Sequence, residues 1–153
     1  MQNYDSRQSC ALLTEALLQT PPEAFPAYLA HNRKNLITSQ HPFADYMREK
    51  FREKGLLQQN IFLAADLPER YGYKLIAEEK RTRQRDVILR LCLAAEFSLE
   101  ETQEALLLYG MAPLYVRIPR DAAFILAFHR HIYDIHDVDA ILRENDLPPF
   151  LLE

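Results

Sequence analysis

The chain has 153 residues, of which 48% are hydrophobic and 26% charged, enough apolar material for one ordinary globular domain. Only three residues are glycine, which excludes Gly-rich phosphate loops and dinucleotide-binding fingerprints. The two cysteines, Cys10 and Cys92, are too few for a disulfide framework, and no apolar run approaches the roughly 20 residues that a bilayer requires. Positions 1–13 have no hydrophobic segment typical of a secretory signal, so we expect a soluble, cytoplasmic protein with no membrane segment.

Nearly every segment has the apolar periodicity and the start and stop residues of a helix. Ser98 and Glu101, for example, are spaced as a capping box at the start of one of them. The sequence therefore predicts an all-α protein with eight or nine helices. In chain order the predicted helices cover 5–19, 22–35, 42–54, 58–65, 68–79, 85–96, 98–109, 119–130 and 134–145.

The last two helix pairs repeat each other. Residues 97–114 match residues 133–150 without a gap at an offset of 36, and the Arg-Asp pair at 85–86 recurs at 120–121. Two copies are too few for a solenoid, so we expect two stacked helical hairpins that share one core, with the tail at 147–150 docked on it. We expect the two Arg-Asp pairs to act as caps and salt bridges that hold the hairpins together.

Charge is unevenly distributed along the chain. Residues 70–90 carry seven basic and three acidic side chains, a net charge of +4, whereas residues 1–69 carry −1 and residues 91–153 carry −7. A polyanion responds to the local potential, since salt screens charges beyond about 10 Å. The positive segment therefore favours a polyanion partner, although basic residues also cluster in loops that are merely solvated.

Residues 58–75 have the spacing of a DNA-binding helix pair, in which a short helix and a tight turn precede a helix that enters the major groove. Asp66 occupies the turn and tolerates the left-handed conformation well. Phe62 departs from the pattern, because a small residue usually allows the helices to approach there. If Gln58 is counted as position one, the positions expected to be buried are Ile61, Ala65, Leu67, Gly72 and Leu75.

Segments 43–57, 67–76, 82–91, 99–115 and 119–122 together resemble the helix-turn-helix domain of xenobiotic-response-element (XRE) type regulators, in a bacterial subfamily with an extra C-terminal hairpin. The resemblance covers about residues 23–150, and the Tyr-Gly-Tyr run at 71–73 belongs to it. It implies a five-helix, lambda-repressor-like core at 43–114. The N-terminal helices within 1–42 would pack on that core, and a helical hairpin would follow at 115–153.

The resemblance implies a transcriptional regulator that binds double-stranded DNA, as a homodimer on a two-fold site. The helix at 68–79 would read bases, with Ala77 at the end of its outward side, and the start of the preceding helix and the loop that follows would contact phosphates. The implied DNA-binding residues are Gln58, Gln59, Glu69, Arg70, Tyr73, Lys74, Lys80, Arg81 and Arg83.

A second interpretation is a protein-interaction module that keeps the helix-turn-helix scaffold but has lost sequence-specific DNA readout. It is favoured by three carboxylates on the expected reading helix, Glu69, Glu78 and Glu79, which would repel phosphates. The usual Asn-Gly exit of that helix is also replaced, by Ala-Glu at 77–78. For the tyrosines at 71 and 73, packing within the protein is an alternative to contact with DNA under either interpretation.

The sequence predicts neither an enzyme nor a metal or cofactor site. His129, His131 and His136 lack the helical spacing that would bring their rings together as ligands, and no nucleophile or zinc-protease motif is present. Cys92 lies in an apolar stripe typical of a core residue. The carboxylates are expected on solvent-exposed faces.

Overall fold

The computed structural model describes residues 9–151. Within that range the chain forms nine α-helices and no β-strand, which confirms the predicted all-α class. The helices are α1 (Cys10–Leu18), α2 (Phe25–His31), α3 (Pro42–Glu53), α4 (Gln58–Ala64), α5 (Glu69–Ile76), α6 (Arg85–Ala94), α7 (Leu99–Leu108), α8 (Pro119–His129) and α9 (Ile135–Glu144). None of these helices is both long and apolar enough to cross a membrane.

The N-terminal helices differ from the prediction. Of the predicted helix at 5–19, residues 5–8 lie outside the described range, and the helix begins after Ser9, whose side chain caps it. The predicted helix at 22–35 is broken into a 3-10 turn, α2 and a second 3-10 turn. Pro26 explains the first break, because a residue without an N–H group is tolerated only in the first turn of a new helix.

The seven helices from α3 to α9 end in the same way. Each is followed by a residue with φ between 54° and 81°, and the next N–H group donates to the carbonyl five residues earlier, which is a Schellman motif. The residue after the left-handed position packs against the core in six cases. The exception is Glu79, after α5. The left-handed residues are Gly55, Asp66, Glu78, Glu96, Gly110, His131 and Asp146.

One apolar cluster extends through α3 to α9 and the C-terminal tail. Helix α3 packs on α5 and α7, α4 packs on α5 and α6, and α6 pairs with α7. The tail docks as expected, because the ring of Phe150 lies edge-on at 5.1 Å from that of Phe124. Helices α1 and α2, by contrast, contain no buried residue.

The two hairpins, α6–α7 and α8–α9, are joined by reciprocal ion pairs, as the repeat predicts. The Arg120 guanidinium donates to both oxygens of Asp86 at 2.7 and 2.8 Å, and Arg85 donates to Asp121. Helix α6 of the first hairpin also contacts α9 of the second, and α8 of the second contacts α7 of the first, so the contacts are reciprocal. The hairpins are therefore related by an approximate two-fold axis, which differs from the translation of a solenoid.

Each of these arginines also binds the exit of its own hairpin. Arg85 donates to the carbonyls at 112 and 113, and Arg120 to those at 148 and 149, positions that the 36-residue offset relates. The side chain of Gln103 binds the backbone N–H and carbonyl of Leu114. At the equivalent place, Asp139 accepts from the N–H group of Phe150 at 2.6 Å. The repeat thus extends to the hydrogen bonds that close each unit.

The expectation that carboxylates lie on solvent-exposed faces is wrong for Glu49, which is 2% exposed and pairs with Arg52. It is also wrong for Asp121 and Asp139, which are 1% and 8% exposed. Their negative charge is compensated by the hydrogen bonds of the hairpin exits, so burial is tolerated. Burial raises the pKa of Asp139, but hydrogen bonds from Arg143 and from the N–H groups at 150 and 151 outweigh it and hold that pKa below its usual value.

Candidate nucleic-acid interface

Helices α4 and α5 form a tight helix pair. Helix α4 ends at Ala64, Asp66 adopts φ 54°, and α5 begins after Pro68. The N–H group of Leu67 donates to the carbonyl of Phe62 at 2.9 Å, which closes the turn. All five positions that the spacing predicts as buried are buried: Ile61, Ala65, Leu67, Gly72 and Leu75.

The large residue in the first helix is accommodated by the glycine in the second. Phe62 is fully buried, and a Cβ atom on Gly72 would lie 2.4 Å from the Cδ1 atom of its ring. Gly72 therefore provides the space that a small residue at position 62 would otherwise leave. The Tyr73 ring packs edge-on against the Phe62 ring at 5.0 Å and is still 43% exposed.

One face of α5 packs inward and the other is open. Its buried residues are Gly72, Leu75 and Ile76. The outward side chains line a shallow, open concavity of about 520 Å³, so they share one surface. The residues lining it are Glu69, Arg70, Tyr73, Lys74 and Glu79.

Helix α5 ends at Ile76, so the predicted bounds 68–79 are too long. Ala77 caps the helix and Glu78 turns into the left-handed conformation with φ 57°. This turn removes Glu78 from the outward face. Its carboxylate accepts from the N–H group of Ala44 at 3.3 Å and lies 3.5 Å from His41 Nδ1, at the start of α3. Glu78 therefore caps α3 instead of facing a ligand.

The loop between α5 and α6 is anchored on Tyr109. The Arg81 guanidinium donates to the Tyr109 carbonyl at 2.7 Å and lies 4.4 Å above the centre of its ring. The N–H group of Thr82 donates to the Tyr109 hydroxyl at 2.7 Å. Tyr109 itself is 2% exposed, so the anchor belongs to the core. Nothing in the local sequence spacing indicates this role, because the contact spans 27 residues.

The basic segment at 70–90 divides into two sets. Arg81, Arg85 and Arg90 bind backbone carbonyls, and each also lies near a carboxylate. In the second set no cation forms an ion pair with any residue in the range 9–151. This outward set is Arg70, Lys74, Lys80 and Arg83. Arg81, which was expected to contact phosphate, donates to the Tyr109 carbonyl and lies 3.4 Å from Glu78, while its side chain is 59% exposed.

The remaining expected DNA-binding residues, Gln58 and Gln59, form the first turn of α4. Gln58 is half-buried and Gln59 is exposed.

Across residues 9–151 there is no cluster of three His, Cys, Asp or Glu side chains able to hold a metal ion. Cys92 is fully buried, and this burial raises the pKa of its thiol.

Known proteins add no information about this surface. Comparisons of the chain with protein-family models, with curated proteins and with solved structures found no match.

Proposed function

We propose that this protein is a DNA-binding transcriptional regulator of the XRE type, with α3–α7 as a lambda-repressor-like core and α4 and α5 as its helix-turn-helix. The burial register of the helix pair and the left-handed Asp66 support this assignment. A homodimer on a two-fold DNA site is part of the proposal, and the mass of the protein–DNA complex measures it.

The observation that carries the proposal is the outward cation set, of which Arg70 and Lys74 line one concavity on α5 and Lys80 and Arg83 lie in the loop that follows. An Arg or Lys that already pairs with a carboxylate must give up that contact to bind DNA. The outward set has no such ion pair with a described residue, so its binding to DNA carries no such cost. Its members are Arg70, Lys74, Lys80 and Arg83. Helix α5 lies with its outer face open, as a base-reading helix must.

The proposed roles follow from the side-chain chemistry. Arg70 donates two hydrogen bonds to a guanine, Lys74 binds a base edge or a phosphate, and Tyr73 packs on a sugar with its hydroxyl near phosphate. Lys80 and Arg83 bind the backbone from the loop. Glu69 lies beside these cations and disfavours neighbouring phosphates.

Two further residues, Gln58 and Gln59, contact phosphate from the first turn of α4 in this proposal. Arg81 contributes indirectly, because its bonds to Tyr109 fix the loop that carries Lys80 and Arg83.

The proposal is tested by the binding of fluorescent genomic DNA fragments at several salt concentrations. Each phosphate contact contributes nearly one log unit of affinity per log unit of salt. We expect the double variant Lys80→Ala/Arg83→Ala to bind about tenfold or more weakly at about 0.1 M salt, with a slope smaller by nearly two.

The matched control is Arg117→Ala/Arg130→Ala, which removes the same charge from exposed positions before and after α8. We expect its affinity to change by less than about twofold, because it acts only through the long-range field. Absence of any DNA binding by the unaltered protein at low salt contradicts the proposal, as does an equal loss in both double variants.

A second candidate function is the protein-interaction module, and one observation favours it. Glu69 and Glu79 line the same concavity as Arg70, Tyr73 and Lys74, so this surface carries both signs of charge. The variant Glu69→Gln/Glu79→Gln separates the two functions. It strengthens DNA binding if phosphates contact this surface, and it weakens capture of a stoichiometric protein partner if a protein does.

A further inference from the structure

The turn between α4 and α5 is held from outside the helix pair by Arg90 of α6. The Arg90 Nε–H group donates to the Ala65 carbonyl at 2.9 Å, and its Nη2 group donates to the Asp66 carbonyl, also at 2.9 Å. One guanidinium thus binds two successive carbonyls of a segment 24 and 25 residues away. The Arg90 side chain is 18% exposed, so these bonds are only partly open to water.

The two carbonyls lie at the end of α4, where an α-helix leaves its last carbonyl groups without a partner in the helix. Ala65 is the C-cap of α4, and Asp66 is the left-handed residue after it. Only Leu67 and Pro68 separate Asp66 from the first residue of α5. Because the ring of Pro68 restricts its φ angle, this short link carries the position of the turn into the first turn of α5.

The carbonyl bonds hold this turn more firmly than the ion pair does. The Asp66 carboxylate lies 3.6 Å from the Arg90 Nη2 atom and its side chain is 78% exposed, so water screens the attraction between them. The planar guanidinium, in contrast, fixes both carbonyls in one geometry through two separate nitrogen atoms.

The part of α5 next to this turn carries the expected base-reading arginine. Arg70 is the second residue of α5 and lines the open concavity on its outer face. A recognition helix contacts base edges with its N-terminal residues, and a bidentate hydrogen bond to guanine tolerates little displacement. The position of Arg70 relative to the rest of the domain therefore depends on how well the turn is fixed.

We propose that Arg90 is a positioning residue for DNA binding, which fixes the turn ahead of α5 and so places Arg70 for the major groove without touching DNA itself. This inference rests on the proposed function. A turn that is already held in the free protein loses less conformational freedom when DNA binds, so the two carbonyl bonds contribute affinity.

The test replaces Arg90 by lysine, which keeps the positive charge but whose compact ammonium group cannot occupy both the Nε and the Nη2 position. We expect Arg90→Lys to bind fluorescent genomic DNA fragments about fivefold more weakly at about 0.1 M salt. The dependence of log affinity on log salt should keep its slope, because no phosphate contact is lost. The loss should disappear when Arg70→Ala is already present, because Arg90 acts through that side chain.

The matched control is Arg120→Lys, at a site with the same two-carbonyl geometry in the C-terminal tail. The Arg120 Nε–H group donates to the Pro148 carbonyl at 3.0 Å and its Nη2 group to the Pro149 carbonyl at 3.2 Å, and its side chain is 19% exposed. We expect Arg120→Lys to keep its DNA affinity within about twofold, because the carbonyls it releases do not lead into α5.

Unchanged affinity in Arg90→Lys overturns this inference and leaves the proposed function intact, as does an equal fall in Arg120→Lys. A smaller salt slope in Arg90→Lys also overturns it, because Arg90 would then contact a phosphate itself. Strictly additive losses from Arg90→Lys and Arg70→Ala show that Arg90 does not act through Arg70. If the unaltered protein binds no DNA at low salt, the proposed function fails and this inference with it.

A second measurement uses the unaltered protein and decides the question even if Arg90→Lys does not fold. Coupling between two binding events is reciprocal, so DNA must stabilise the Arg90 bonds by the same factor by which those bonds strengthen DNA binding. We therefore expect the Arg90 Nε–H proton to exchange with water about fivefold more slowly in the DNA complex, as measured by NMR. Exchange that is equally fast or faster in the complex contradicts the positioning role.

Discussion

Arginine has opposite roles in two neighbouring regions of this protein. In the paired hairpins at 85–151, Arg85 and Arg120 bind carboxylates and carbonyls that the repeat places around them. In α5 and its loop at 69–83, Arg70 and Arg83 point outward without an ion pair to any described residue. Composition alone counts Arg70, Arg83 and Arg85 in one basic segment, so the arrangement of partners separates structural cations from those available to a ligand.

The physical reason for the difference is the environment of each guanidinium. Inside the hairpin junction the charges are partly removed from water, and only closely matched partners compensate that cost. On α5 the cations stay hydrated, so they need no partner for the fold to be stable. Three substitutions, one in the hairpin junction, one in the helix pair and one at the anchor of the basic loop, test these two regions, from the largest expected effect to the smallest.

Asp121→Ala should cost the most stability. It leaves the Arg85 guanidinium, which is 25% exposed, without its buried carboxylate, so we expect a loss of about 3 kcal/mol in the free energy of unfolding. Denaturant unfolding measures the loss. The matched variant is Asp86→Ala, whose carboxylate is 33% exposed where that of Asp121 is 1% exposed, and there we expect about 1 kcal/mol. Equal losses would contradict the difference in burial on which the prediction depends.

Gly72→Ala should destabilise the helix pair by about 2 kcal/mol. The added Cβ atom overlaps the Phe62 ring, and the resulting strain outweighs the gain of up to about 1 kcal/mol in helix propensity. In the background of Phe62→Ala the ring and its Cγ atom are absent, which relieves the overlap, so Gly72→Ala should cost about 0 kcal/mol there. Chemical denaturation of the four proteins measures this coupling, and strictly additive effects would show that the two residues do not compensate each other.

Tyr109→Phe should have the smallest effect on stability and a selective effect on DNA binding. It removes only the hydroxyl that accepts from Thr82, at a cost of about 1 kcal/mol. The loop at 80–83 becomes less ordered, and we expect DNA affinity to fall about two- to fivefold, because the loop must then be ordered on binding.

This loss of affinity should disappear when Lys80→Ala/Arg83→Ala is already present, if the anchor acts through those two cations. Tyr46→Phe is the matched control, since it also removes a buried hydroxyl, one that donates to the Glu101 carbonyl at 3.2 Å. The control should lose similar stability and keep its DNA affinity, and an equal fall in affinity would assign the effect to stability alone.

Several features were predictable from sequence because they depend on residues close together in the chain. The capping box of Ser98 and Glu101, the helical class and the burial register of α4 and α5 are of this kind. The ion pairs of Arg85 and Arg120 were also predictable as salt bridges, because the repeat places an Arg-Asp pair at the start of each hairpin. In the structure each arginine binds the aspartate of the other pair. The sequence showed only one half of the compensation between Phe62 and Gly72, namely a large residue at position 62, where a small one is usual.

The sequence by itself determined which segments are helical and where the cations lie along the chain, because periodicity and helix-ending residues act over a few positions. Only the tertiary structure decided which cations remain available. The left-handed turn at Glu78 directs its carboxylate to α3, and Tyr109 holds Arg81 from 28 residues away. Such contacts depend on how distant segments pack, and packing follows from the whole set of helices rather than from any one of them.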